Sequence, residues 1–471
     1  MMRVLFVKEI REAFASRRFW VILALCLVLI PLGVEVSLKD YRTRLQNYRE
    51  AVRIYQEQTK TASDVLYKGG AKAFAPPSPL SFISLGLELI LPNVAETQAK
   101  YGEPPAVMRL SNNQGRDNLY EFFYGPLDLI FVVGVVMSLL AVIMSYGAIA
   151  GEKEQGTLGL VLSNSVPRAK LILAKAAANS VVLVIPFLLG LTLSVAVLEV
   201  QGAAPWGNSG GLTFMLLAVL LAVLLIGAFF NLGLLVSALS KQAVTALVTL
   251  LLAWVLLYGV YPRLAAAAAQ VLYPVKSEAR VALEKAQIRA NIEKARDVEI
   301  DQVAKAMPDD EKSKAYKDGE QKQLDIRNKF MAELEASWQT LERDVQARRN
   351  AMVALSADIA RLSPVSAFVR PLAELSRTGW LEYRLFDAEA REFENILNRD
   401  IFTKQKMIRM KGGIHSGFAG DMGAAAPVFQ YQQAAVETVI RNILPDLILL
   451  ILFNLVFFAG AFIAFIRYDA R

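Results

Sequence analysis

The sequence predicts an all-α polytopic membrane protein: six transmembrane helices and two external helical segments, the larger holding a long coiled-coil-like hairpin. Three observations predict this fold. The 471 residues are 55% hydrophobic and only 20% charged, with a mean hydropathy of +0.37, too apolar for a soluble chain of this length. The apolar residues gather in six runs of about 20, each enough to cross roughly 30 Å of hydrocarbon. Between the runs the chain is strongly polar.

The elements follow in order. Residues 1–18 carry Arg3, Lys8, Arg11, Arg17 and Arg18 among Val4, Val7, Ile10 and Phe14, an amphipathic leader helix suited to an anionic lipid surface or to anchoring topology. The first span, 19–37, follows a long basic leader and has no A-x-A-like exit, so it is expected to be an uncleaved helix and not a signal peptide. Residues 38–126 open with Tyr41, Leu45, Tyr48, Val52 and Tyr55 in 4-3-4-3 spacing, a helical stalk with one apolar stripe. Pro76, Pro77, Pro79, Pro104 and Pro105 then demand a loop-rich cap. Spans two to five are expected at 127–149, 171–198, 212–239 and 243–261, a second external segment at 262–442, the sixth span at 443–466 and a tail at 467–471.

Orientation follows from the short links. The 150–170 link carries Lys153, Arg168 and Lys170, Lys241 lies in the next link on that side, and the tail has Arg467 and Arg471, whereas 200–211 has no Lys or Arg. The positive-inside rule therefore puts both termini in the cytoplasm and both long polar segments outside it.

The 262–442 segment contains 28 Lys and Arg against 26 Asp and Glu, a solvated helical composition. Leu334, Leu341, Leu355 and Leu362 fall on one sevenfold series and Trp338, Val345, Met352 and Ile359 on the other, an a/d seam breached at Arg348. With Val281, Ile288, Ile292 and Ala295 upstream and a breaker at Pro308, the pattern predicts an antiparallel hairpin with its tip near Pro308 and a possible interruption at Gly319. The hairpin is either a spacer held by its own seam or a docking surface for an envelope protein partner.

One cysteine, Cys26, and one histidine, His415, leave no disulfide framework and no His-rich metal or catalytic constellation. No basic cluster points to nucleic acid, and H-E-x-x-H and G-x-S-x-G are lacking. No G-x-x-x-x-G-K-[S/T] loop occurs, so the chain lacks ATPase motifs of its own. Asn179, Asn231 and Asn454 within spans, and Lys175 and Asp446 near span ends, read as helix-joining groups or as the lining of a path.

The stretch GEKEQGTLGLVLSNSVPRAKLILAK at 151–175 resembles the first cytoplasmic loop of ABC-2-type transporter permeases, in which E-x-E-x-G-T leads through a short helix to a Pro–Arg–x–Lys turn. The leader and the six-span count share the resemblance. Ser363–Phe368 and Arg377–Gly379 resemble the branch of permeases for nitrous-oxide-reductase and multicopper-enzyme maturation. The resemblance implies a membrane subunit in the bacterial inner membrane, two permeases, identical or paralogous, forming a dimer with separate ABC ATPase subunits. ATP and Mg²⁺ would then sit on the ATPase and no cofactor on this chain. It further implies an ATPase-coupling loop built on Glu152, Lys153, Glu154, Gly156, Thr157, Leu158, Leu160 and Arg168. Physically, the two carboxylates would pair with partner cations, Gly156 would turn, Thr157 would cap a following helix, and the leucines would give an apolar face. Two functions stay open: export or extraction of a substrate, or a non-transporting assembly in which the external hairpin works mechanically on an envelope partner.

Overall fold

The computed structural model describes residues 2–67, 70–97, 109–111, 125–159, 167–203, 210–309, 313–401, 405–410, 413–418 and 423–468. Six of its helices are long and apolar enough to cross a membrane: Arg17–Gln58, Leu129–Glu154, Arg168–Val200, Gly211–Leu239, Ala243–Leu272 and Val436–Ile466. They are taken here as spans one to six. The leader helix, the end of the last helix at Arg467 and Tyr468 and the described start of the link after span two lie at one end of the bundle, termed the loop end. The polar segments form a head at the other.

Ser16 breaks the leader helix, Met2–Ala15, from span one, and its hydroxyl accepts a hydrogen bond from Phe19 N. Phe14 meets Phe19 edge-on at 4.4 Å, and Phe19 packs with buried Ala13 and Val182, so the leader is pinned to the start of span three. Span one then runs unbroken into the stalk as a single helix of 42 residues, through Pro31. Gly190 of span three lies so close to the first part of this helix that a Cβ there would stand 2.6 Å from Cys26 O, the close helix approach that small residues permit. Spans four and six are clasped by amides. Asn231 Nδ2 donates to Asn454 Oδ1 at 3.0 Å, and Asn454 Nδ2 donates to Leu224 O at 2.8 Å.

Span five contains a π turn at Leu256–Val260. Pro262 has no N–H for the Tyr258 carbonyl and its ring crowds that turn, which widens the helix just before it. In the π register an N–H serves the carbonyl five residues back, as Tyr261 N does Leu256 O, so Pro262 also leaves the Leu257 carbonyl without a donor, and Ser363 Oγ of the head supplies one at 2.6 Å.

The two polar segments fold as one head. Residues 72–74 (β1), 94–96 (β2) and 109–111 (β3) form an antiparallel sheet in the order β1-β2-β3, with Ala73 opposite Ala95 and Ala95 opposite Leu110. Ala71, Ala73 and Ala95 pack against Phe386, Ala390, Phe393 and Leu397 of helix Trp380–Asp400 from the other segment. Buried Arg44 of the stalk pairs with Asp40 at 2.8 Å and Glu88 at 2.6 Å and donates to Ser81 Oγ at 3.0 Å. Ser78 Oγ donates to Ser376 O at 2.6 Å, and Leu87 N to Thr378 O at 2.9 Å. Residues 405–410 and 413–418 pair as a second small antiparallel ribbon, β4 and β5.

Candidate coupling site

The loop end of span two turns at Tyr146–Ile149 into a five-residue helix, Ala150–Glu154. Ser237 of span four accepts from Ile149 N at 3.1 Å and Ala150 N at 2.9 Å and donates to Tyr146 O at 2.7 Å, which fixes that turn. Three consecutive charged residues then each engage a different helix. Glu152 Oε1 is 2.6 Å from Lys175 Nζ of span three, and the same ammonium is 3.1 Å from Glu9 Oε1 of the leader. Lys153 Nζ donates to Ala238 O and, at 3.1 Å, to Ser240 O, and lies 4.6 Å from the centre of the Tyr468 ring. A cation is thereby held on the carbonyl-rich C-terminus of span four. Glu154 Oε2 accepts from Ala243 N at 3.0 Å and caps the first turn of span five.

Beyond Glu154 the chain reverses at Gly156, whose φ of +71° is a left-handed conformation that glycine adopts without strain. Thr157 Oγ1 donates back to Glu152 O at 3.3 Å and so closes the preceding turn; in the described residues its hydroxyl does not serve as the N-cap expected of it. Leu158 is 1% exposed in the bundle core, while Leu160 lies outside the described residues. Arg168 Nη1 donates to Ile466 O and Tyr468 O, both at 2.7 Å, capping span six.

The described residues among those singled out from sequence for this loop are therefore gathered at one end of the bundle, with a division of labour that the sequence does not display. Glu152, Lys153, Leu158 and Arg168 bind the spans to one another. Glu154, Gln155, Gly156, Thr157 and Gly159 are exposed. Lys175, Glu9 and Ser237 complete the clamp. Sequence reasoning noted only that Lys175 stands near a span end, and nothing in its neighbours signals a partner 166 residues away in the leader.

The hairpin seam is the second set of candidates. The outbound helix Glu278–Lys305 and the return helix Lys314–Ala360 run antiparallel. Lys285 pairs with Glu342, Trp338 Nε1 donates to Lys285 O at 3.3 Å, and Lys329 is 3.3 Å from Glu299. The return helix is uninterrupted for 47 residues, about 70 Å. Gly319 does not break it. A Cβ there would stand 2.6 Å from Met307 Cγ, so the glycine admits the methionine of the tip.

Leu334 is buried, and Trp338, Leu341, Val345, Met352, Leu355 and Ile359 are half-buried, as expected of a two-helix seam with one open side. Leu362 is not part of the seam: the helix ends at Ala360 and this side chain is 62% exposed. The heptad count ran past the helix end because Ser363–Pro364 breaks the pattern only afterwards. The lower part of the return helix packs against the end of span five, where Tyr261 Oη donates to Ile359 O at 3.0 Å.

The hairpin base is locked to span six. Asp446, fully buried, receives Arg370 Nη2 at 2.6 Å and Nε at 3.0 Å, and Arg361 Nε lies 3.2 Å from its other oxygen, at ion-pair distance but without hydrogen-bond alignment. Beside this junction, a cavity of about 650 Å³ opens between the head-side ends of spans two and five, the return helix and helix Ser366–Leu375.

A search among curated proteins gives no match. Residues 3–379 match the family model described as ABC-2 family transporter protein. The match runs from the leader through all the clamp residues, spans one to five and the hairpin.

Proposed function

The chain belongs to the ABC-2 transporter family and is a membrane permease subunit of an ABC transporter, working with an ABC ATPase subunit and not hydrolysing ATP itself; on that premise we propose that the exposed turn Glu154–Gly159 docks the ATPase and that its movement drives export or extraction of a substrate across the bacterial inner membrane. The clamp carries this reading. Glu152, Lys153 and Glu154 join spans two, three, four and five within three residues, and Arg168 adds span six. A push on the exposed turn is thus shared among the spans at once, which a loop with free charges would not achieve. ATP and Mg²⁺ belong to the ATPase subunit in this scheme. A second permease, identical or paralogous, completes the assembly as a dimer.

The loop end carries the basic short links and is read as cytoplasmic, with both termini, and the head as external. Exposed Arg3, Lys8 and Arg11 on the leader offer a surface to anionic lipid. Within the family, the large head after span five and the Ser363–Phe368 and Arg377–Gly379 segments that join it to the bundle support the maturation-permease branch. In a Cys26→Ala background, a cysteine at Lys314 should react with an impermeant maleimide in intact spheroplasts and one at Gln155 only after lysis. The reverse pattern would overturn the orientation.

A second reading has its own observation. Arg361 and Arg370 fasten the base of a lever of about 70 Å to buried Asp446 of span six. Such a lever suits mechanical action on an envelope protein by an assembly that moves no substrate. Replacing 284–355 with a short linker separates the two: activity retained supports transport with a spacer, whereas loss with the ATPase still bound supports the mechanical assembly.

A further inference from the structure

The cavity at the base of the head has the features of a ligand site that the coupling scheme does not use. Its 650 Å³ falls in the range of small-molecule pockets, about 300–1,000 Å³. Ile130 and Phe131 of span two, Tyr258 and Ala266 of span five and Val369 of the head give it apolar walls. It lies where two spans leave the bilayer. Asp128 caps the first turn of span two, accepting from Phe131 N at 3.1 Å, and the π turn before Pro262 widens span five at the cavity wall.

The charged groups at the cavity are unevenly committed. Asp128 also accepts from Leu85 N at 3.1 Å, Glu374 accepts from Leu381 N at 3.3 Å, and Arg370 is spent on Asp446. Arg263 is exposed, donates only to Gly259 O of its own helix, and has no carboxylate partner among the described residues. Directly beside it span five shows Leu256, Val260 and Leu264 on its exterior, a face fit for hydrocarbon. A chain in the bilayer on the head side thus has an apolar route into the cavity, and a cation stands at the level of its head group.

We propose that this cavity binds an anionic phospholipid of the head-side leaflet, one acyl chain lying between Phe131, Ala266 and Val369 and the head group on Arg263. The cation selects the head and the apolar walls take the chain, the arrangement by which basic pockets between spans hold anionic lipids. The site is intrinsic to the permease and needs neither ATP nor the ATPase.

The test uses the full-length permease alone in vesicles of equal parts phosphatidylglycerol and phosphatidylcholine, with a diazirine on the acyl chain of one lipid or the other. Phosphatidylglycerol should label 262–270 and 352–373 about fivefold more than phosphatidylcholine. Arg263→Gln, at an exposed side chain, should equalise the two lipids. Ala266→Trp should remove label from both segments and spare Leu252 and Leu455 on the outer faces of spans. Excess glycerol phosphate should not compete; competition would mean a free-phosphate site and overturn the proposal. Equal labelling by both lipids in the parent, or cavity labelling untouched by Ala266→Trp, would overturn it as well. With no ATPase present, each of these three failures leaves the coupling reading intact.

Discussion

Lys175 and Glu152 meet at 2.6 Å, and because Glu9 reaches the same ammonium at 3.1 Å, one buried cation of span three holds both the loop and the leader. The Lys175 side chain is 5% exposed. Replacing it by Met leaves two carboxylates facing each other in a mostly buried site, which costs about 3 kcal/mol. Lys175→Met should lower the thermal midpoint of the purified protein, and adding Glu9→Gln and Glu152→Gln should recover much of the loss. Losses that simply add would mean that the three groups are not coupled.

Asp446 should behave as the anchor of the head. Asp446→Asn removes the charge that Arg361 and Arg370 share, leaving Arg361 with Asp358 alone and Arg370 without an ion-pair partner among the described residues. Amide hydrogen exchange in 357–372 should quicken by about tenfold, while exchange near Leu334 in the middle of the return helix stays as it was. Uniform acceleration along the hairpin would argue against a local anchor.

The seam has a graded prediction. Leu334→Ala, at a 3% exposed position, should destabilise the hairpin by about 2–4 kcal/mol. Leu341→Ala and Val345→Ala, at half-buried positions, should each cost less, and Leu362→Ala should fall within about 0.5 kcal/mol of the parent. Urea unfolding of the head followed by circular dichroism gives the ranking. Equal effects at Leu334 and Leu362 would contradict it.

Glu374 gives the head a pH dependence. Burial pushes its carboxyl up to about 7, against the pull of Arg370 and of the Leu381 and Trp380 N–H groups. The folded head keeps a proton that the unfolded chain gives up above its ordinary value of 4.5, so stability is full below about 4.5 and falls as pH rises to about 7. Glu374→Gln should flatten that fall in part, leaving the contribution of Asp128, which burial pushes up to about 6, and those of Glu382 and Glu389, which burial also raises. Thermal midpoints at pH 5 and pH 8 decide it: the gain from Gln should be larger at pH 8.

The spans were legible because about 20 apolar residues in a row have few other uses, and the return helix because its leucines keep a sevenfold beat. The head sheet was not. Its three-residue strands, with Ala73 and Ala95 at their centres, are too short for alternation to register, and they are held by Phe386 and Phe393 from some 300 residues away. The coupling loop was legible as a pattern but not in its partners. Glu152 and Glu154 read as bait for another subunit, yet one pairs with Lys175 and the other caps Ala243, contacts that only folding brings together. Gly319 misled in the same way, since a glycine that admits Met307 and a glycine that ends a helix look alike in one dimension.

The docking of an ATPase on the exposed turn is tested most directly by a photoreactive amino acid at Gln155, which is exposed and makes no contact on which the clamp depends. In cells expressing the whole transporter, light should capture an adduct whose mass-spectrometric identity is an ABC ATPase. The same group at Arg280 on the head should capture none. Adducts confined to lipid at Gln155, or an ATPase captured from Arg280 instead, would contradict the account.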